Sequence, residues 1–209
     1  MRIERYIIGL TIALIFTLVF SSCGDKSSGD PTIPPGTTTY KMGDTGPGGG
    51  KIFYVNEAGF TFYQTANDTV GVIAHYLEAA PTDNAGTLAW ASGSFTNRDI
   101  TGLQTGLGTG LKNTLLIVAI DTGSNYAAKV CKDYNGGVKT DWFLPSNDEL
   151  KQLINNKAYV DGIITGGGMG GAYWSSSQVS SIAADILGSG LAGDDNKNAL
   201  HNVRAVRAF

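Results

Sequence analysis

The sequence predicts an α+β domain, and three observations carry that prediction. Strand-like apolar runs sit at both ends of region 41–209, with helix-compatible segments between them, rather than alternating with helices as in a doubly wound sheet. Glycine is abundant, 29 of 209 residues, and each glycine inside a helix costs about 1 kcal/mol, which disfavours a helical bundle. The glycines follow no three-residue period and proline numbers only 6, which excludes collagen.

The elements follow in order. Residues 41–50 (KMGDTGPGGG) read as a glycine-rich turn into a strand over 51–55. Residues 70–79 form a second strand, halted by Pro81, and 88–91 a short third one. Residues 102–110 (GLQTGLGTG) are a loop. Residues 111–120 and 125–134 are helix-compatible, separated by Gly123. In the segment 144–150 (LPSNDEL), Ser146 serves as N-cap and Glu149 as its N3 partner, a capping box. Leu150, Leu153 and Ile154 follow at i, i+3, i+4, so a helix is predicted over 147–156. A loop with six glycines spans 162–171, strands are predicted over 173–177 and 182–187, and a loop over 188–198 leads to a terminal strand over 200–209.

The first 22 residues have the build of a signal peptide: Arg2 and Arg5, then an uncharged apolar run over 6–20, then small residues. That run is short for a spanning helix, which needs about 20 residues. Cys23 directly after two serines resembles a bacterial lipoprotein signal, with the Cys23 thiol as the lipid attachment point. Ordinary secretion and an uncleaved single-span anchor are the other readings of this segment. Residues 23–40 are rich in Gly, Ser, Thr and Pro and read as a flexible linker, leaving 41–209 as a single domain. The second cysteine, Cys131, falls among alanines and reads as a small buried apolar group.

Charge and motifs exclude several functions. The net charge is −3 with only 16% charged residues, which argues against nucleic-acid binding. The stretch 46–51 resembles the end of a phosphate-binding loop, yet Lys51 is followed by Ile52 and a strand comes next, where a helix is needed. The stretch 106–110 lacks the third glycine of a dinucleotide site. Asp194–Asn198 alternates oxygen ligands as a calcium loop does, but Ala199 and Ala205 stand where Gly and Glu are required, and a solvated turn is the simpler reading. His75 and His201 have no metal-ligand spacing, and no serine sits in a nucleophile elbow. No metal, no cofactor and no catalytic residue is read from the sequence, so the chain is expected not to be an enzyme. Arg204 and Arg207 stand three apart on the terminal strand and so point to opposite faces. Structural ion pairs are one reading. The other has one of them line a groove for an anionic ligand.

The segments 43–55, 77–81 (LEAAP), 141–150 (DWFLPSNDEL), 173–177 (YWSSS) and 203–209 (VRAVRAF) occur in an order that resembles the C-terminal domain of the Legionella collagen-like protein, a domain of bacterial surface lipoproteins. The resemblance spans 41–209. More distantly, it is similar to the sulfatase-modifying and C-type-lectin-like fold. It implies one C-type-lectin-like domain with short strands, two or three helices and long glycine-rich loops. Trp142, Pro145, Ser146 and Glu149 belong to its structural motif. It further implies an extracellular module that binds a glycan or host-matrix ligand without catalysis. Tyr173 and Trp174 alternate, so one is expected to face outward and stack on a sugar. Trp174, Ser175, Ser177, Arg204 and Arg207 are therefore the candidate ligand-binding residues. The acidic balance turns the expected ligand from polyanions toward neutral glycans or proteins. The alternative function is an envelope assembly module binding another protein. The expected location is the bacterial outer membrane or cell surface, with the membrane contacted through the lipid. Oligomerisation is compatible with the sequence.

Overall fold

Residues 38–84, 86–163 and 169–209 are described by a computed structural model. The expected signal peptide over 1–22, Cys23 and most of the linker lie outside the described residues, as does the middle of the glycine loop 162–171. Among the described residues, no helix is long and apolar enough to cross a membrane. The protein is mixed in class, with three α-helices and two three-stranded antiparallel sheets among the described residues.

The first sheet is built on a hairpin. Strand β1 (Lys51–Phe62) pairs with β2 (Val72–Ala79) in a register that runs from Lys51↔Ala79 to Phe62↔Val72. The strand predicted over 51–55 therefore continues to Phe62. An irregularity between Val55 and Phe60 interrupts the sequence pattern, and Gly59 at φ +78° supplies the turn that a side chain would oppose. Strand β6 (Val206–Ala208) completes the order β1-β2-β6.

The second sheet contains β3 (Tyr173–Gln178), β4 (Ala183–Gly188) and β5 (Leu191–Asn196), in that order. The loop expected over 188–198 is thus corrected to a hairpin turn followed by a strand. Ser189-Gly190 makes the turn, with Gly190 at φ +82°. Strand β5 escapes an apolar pattern because it is an edge strand facing mostly solvent, and Asp194 and Asp195 keep that edge from recruiting another strand.

The terminal strand expected over 200–209 is also corrected. Only Val206–Ala208 joins a ladder. The preceding residues each bridge a different partner: His201 pairs with Leu88, Asn202 with Tyr173, and the Ala205 carbonyl accepts from the Ala80 N–H. This segment stitches the two sheets together.

Helices α1 (Gly110–Ile120), α2 (Ala127–Asp133) and α3 (Asn147–Asn155) pack between and beside the sheets. Helix α3 begins as its capping box requires: Ser146 Oγ accepts from the Glu149 N–H at 3.3 Å, and the Glu149 carboxylate accepts from the Ser146 N–H at 2.7 Å. Leu150, Leu153 and Ile154 are buried beneath it. Ser146 Oγ also donates to the Gly106 carbonyl at 2.9 Å. Ser146→Ala is expected to lower stability by about 1–2 kcal/mol, read as a shift in the urea midpoint. An unchanged midpoint would remove the cap from the account.

Candidate functional site

The YWSSS segment lies inside the protein. Tyr173 and Trp174 are both 0% exposed, because β3 is covered on both faces. This corrects the expectation that one of them faces outward. Trp174 Nε1 donates to the Leu88 carbonyl at 2.8 Å, and the Tyr173 hydroxyl donates to Asp83 at 2.7 Å. The serines tie loops to the sheet. Ser175 Oγ accepts from the Ser177 N–H at 3.1 Å, and Ser177 Oγ accepts from the Asn147 N–H at 3.0 Å while donating to the Gln104 carbonyl at 2.9 Å. Ser176 accepts from the buried Asn113 amide, and its N–H donates to the Pro145 carbonyl at 2.7 Å. Trp142 is buried and donates to the Gly136 carbonyl at 3.1 Å. In this state Trp174, Ser175 and Ser177 present no surface to a ligand.

Both arginines of the C-terminal segment are buried in ion pairs, the first of the two readings. Arg204 Nε pairs with Asp83, while its Nη1 donates to the Ala80 carbonyl at 2.7 Å and its Nη2 to the Asp161 carbonyl at 3.2 Å. Arg207 forms a two-pronged pair with Asp141 at 3.0 and 2.7 Å and reaches Glu78 at 3.1 Å. Burial pushes the Asp141 carboxyl up, but the Arg207 hydrogen bonds and charge outweigh it and hold Asp141 below the usual carboxylate range. Because Arg204 lies outside β6, the expected strand alternation does not set its direction.

Two buried carboxylates emerge that sequence reasoning missed or saw only in part. Glu78 is 0% exposed and sits inside the 46–50 turn. It accepts from the Gly48 N–H at 3.0 and 3.1 Å and from the Gly50 N–H at 2.7 Å. A Cβ on Gly50 would stand 1.9 Å from the Ala79 carbonyl, so only glycine permits this approach. Glu149 is likewise wrapped by the 106–110 loop, accepting from the Gly108 N–H at 3.0 Å. Both glycine-rich stretches that looked like phosphate loops therefore cradle carboxyl groups from the chain itself. The available signal was a lone Glu in the otherwise apolar run 77–81.

The Asp194–Asn198 segment, expected as a solvated turn, is the largely exposed end of β5 running into a turn, with Lys197 as its buried exception. Asp195 accepts from His201 Nε2 at 2.9 Å, taking the tautomer that places the proton there. Lys197 is fully buried, lies 4.6 Å from the Trp90 ring centre, and donates to the Arg98 carbonyl at 2.7 Å and Gln178 at 2.9 Å. Burial pushes its amine down to about 8. Among the described residues, no group of three or more His, Cys, Asp or Glu is arranged to hold a metal ion. Cys131 is buried in α2, and burial pushes its thiol up, away from reactivity.

A groove of about 290 Å³ opens where the loop after β2, helix α2 and the C-terminal segment meet. Its buried floor is Cys131, Val203 and Ala205. Its rim carries Thr82, Asp83, Asn84 and Tyr134. Asp83 is the residue that Arg204 and Tyr173 hold in place. The arginine expected to line a groove thus positions a carboxylate that does. A second depression, between the end of α3 and the β4–β5 turn, is larger and shallower, and Lys157 there donates to Ser189 at 2.5 Å.

Compared with models of known protein families and with curated protein sequences, the chain matches none.

Proposed function

We propose that the chain is an exported, lipid-anchored envelope protein whose 41–209 domain binds a ligand at the cell surface without catalysis. The observation that carries this reading is the groove beside Asp83: an apolar floor with a few converging polar groups, the usual composition of a small-ligand site. The lipoprotein-like start and the flexible linker support display away from a membrane. The similarity to the collagen-like protein's C-terminal domain supports glycan or matrix ligands, and a C-type-lectin-like arrangement is the finer fold reading. In this reading Arg204 acts behind the ligand by holding Asp83, while Trp174, Ser175, Ser177 and Arg207 are internal to the fold.

The test has two arms. Metabolic labelling with palmitate is expected to mark the wild-type chain and not Cys23→Ser, and protease added to intact cells is expected to remove the domain. A glycan and host-matrix array probed with the chain is expected to give a ligand above background. Labelling of both chains, or an array silent throughout, would count against the corresponding half of the proposal.

The assembly-module reading has one observation of its own. Val138 is 97% exposed at φ +54°, a conformation strained for a β-branched side chain, in a loop where Gly137 packs on the Gly48 carbonyl. A photo-cross-linking residue at Val138 that captured one stable envelope neighbour would favour that reading.

A further inference from the structure

We propose that the groove beside Asp83 is a subsite for one neutral, polyhydroxylated ring of pyranose size, and that it discriminates against anionic sugars. The inference rests on the surface-binding reading above and adds the place and chemistry of the ligand.

Size is the first observation. About 290 Å³ stands near the lower end of small-ligand pockets and suits one ring rather than an extended chain. The second is the distribution of polarity. The floor of Cys131, Val203 and Ala205 is apolar and sealed, which suits the C–H face of a sugar ring. Thr82, Asp83 and Asn84 stand together on one wall, which suits its hydroxyl rim. Tyr134, which also lines the groove, is set edge-on against Trp142 with ring centres 5.0 Å apart. Its hydroxyl occupies the space that a side chain at position 136 would need, since a Cβ on Gly136 would fall 2.2 Å from it. The aromatic wall is therefore pre-oriented, and binding need not order it.

The electrostatics select the class. Asp83 spends one oxygen on Arg204 Nε and the other on the Tyr173 hydroxyl. A carboxylate has about four acceptor sites, so about two remain for ligand hydroxyls. The Arg204 side chain is 0% exposed, whereas that of Asp83 is 17% exposed. The pair thus shows a ligand its negative end and hides its positive one. Among the described residues, no Lys or Arg lines the groove. A sulfated or uronic ring would meet the negative end of that pair with no exposed cation beside it, while a neutral ring gains acceptors without that penalty.

Saturation-transfer NMR tests this with the full chain, held in a detergent without a sugar headgroup. The probes are the methyl glycosides of glucose, galactose and N-acetylglucosamine, set against glucuronic acid, galactose 6-sulfate and glucosamine. At least one neutral glycoside is expected to bind with a dissociation constant of about 1 mM. The acidic sugars are expected to bind about tenfold more weakly at low salt, a gap that narrows as salt is added. Thr82→Trp, placed on the exposed rim, is expected to fill the groove and weaken binding about tenfold or more, with an unchanged melting temperature. Asn84→Ala provides a second variant should the tryptophan disturb folding. Asp83 is left alone, because its removal strands Arg204. Neutral binding that both variants leave intact would overturn the groove and spare the surface-binding reading. Preference for an acidic or cationic sugar would overturn the ligand class. Silence toward all of these probes, joined to a silent glycan array, would overturn both readings.

Discussion

Glu78→Gln is expected to lower the unfolding free energy by about 3–5 kcal/mol, although it keeps the side-chain shape. Every contact the carboxylate makes comes from a donor. Gly48 N–H reaches both oxygens, Gly50 N–H reaches one, and Arg207 Nη1 reaches the other. An amide in either orientation turns an N–H₂ group toward one of these donors. It also leaves the buried Arg207 with Asp141 as its remaining carboxylate. Glu78→Ala removes the clash but leaves the Gly48 and Gly50 N–H groups without partners inside the protein, a loss of similar size. Urea denaturation of the wild type and both variants checks this. A loss of less than about 1 kcal/mol in either variant would show that the 46–50 turn holds its shape without Glu78.

Stability is also expected to fall as pH rises from about 4.5 toward 7, and Glu149 is the cause. Burial without a neighbouring cation pushes its carboxyl from 4.5 up to about 7, and the backbone donors of Ser146, Gly108 and Gly110 only partly offset this. The folded protein therefore holds this proton more tightly than the unfolded chain does. The contribution is fully present below about 4.5 and is lost as pH rises through about 7. A gap of this size corresponds to a change on the order of 3 kcal/mol. Asp141 acts with the opposite sign, because Arg207 holds its pKa low. Its contribution is present above the usual carboxylate range and is lost on acidification, below the window in which Glu149 titrates. Denaturation at about pH 5 and about pH 8 measures the slope, and Glu149→Gln is expected to flatten it. The same variant should be less stable overall at pH 5, because the amide faces the donors that now hold the carboxyl. A slope unchanged in Glu149→Gln would assign the pH dependence to other groups.

How much of this was legible depended on how local each interaction is. Helix α3 was legible because its cap, first-turn acids and apolar stripe lie within nine residues of one another. The ends of α1 and α2 and the cores of β2, β3 and β4 were legible for the same reason. Strand β5 was not, because an edge strand facing water carries no alternation to detect. The break-up of the terminal strand was hidden because its partners, Leu88, Tyr173 and Ala80, lie in three separate parts of the chain. Trp174 was misplaced by one assumption, that the sheet has a solvent face. Ion pairing of the arginines was among the readings, but their partners Asp83, Glu78 and Asp141 were not identifiable, because each lies far away in sequence. The groove is assembled from three such segments and has no sequence signature at all.

The stitching by residues 201–209 has a consequence for the order in which the fold can close. The contact between Glu78 and Arg207 spans 129 positions, and that between Ala80 and Arg204 spans 124. Neither the first sheet nor the inner face of β3 is complete until those late residues arrive. A chain delivered with its amino-terminal end first thus closes late, since long-range pairing is slow and the cation that Glu78 pairs with comes 129 positions after it. Under the export proposed above, this late closure would act as a timer built into the topology.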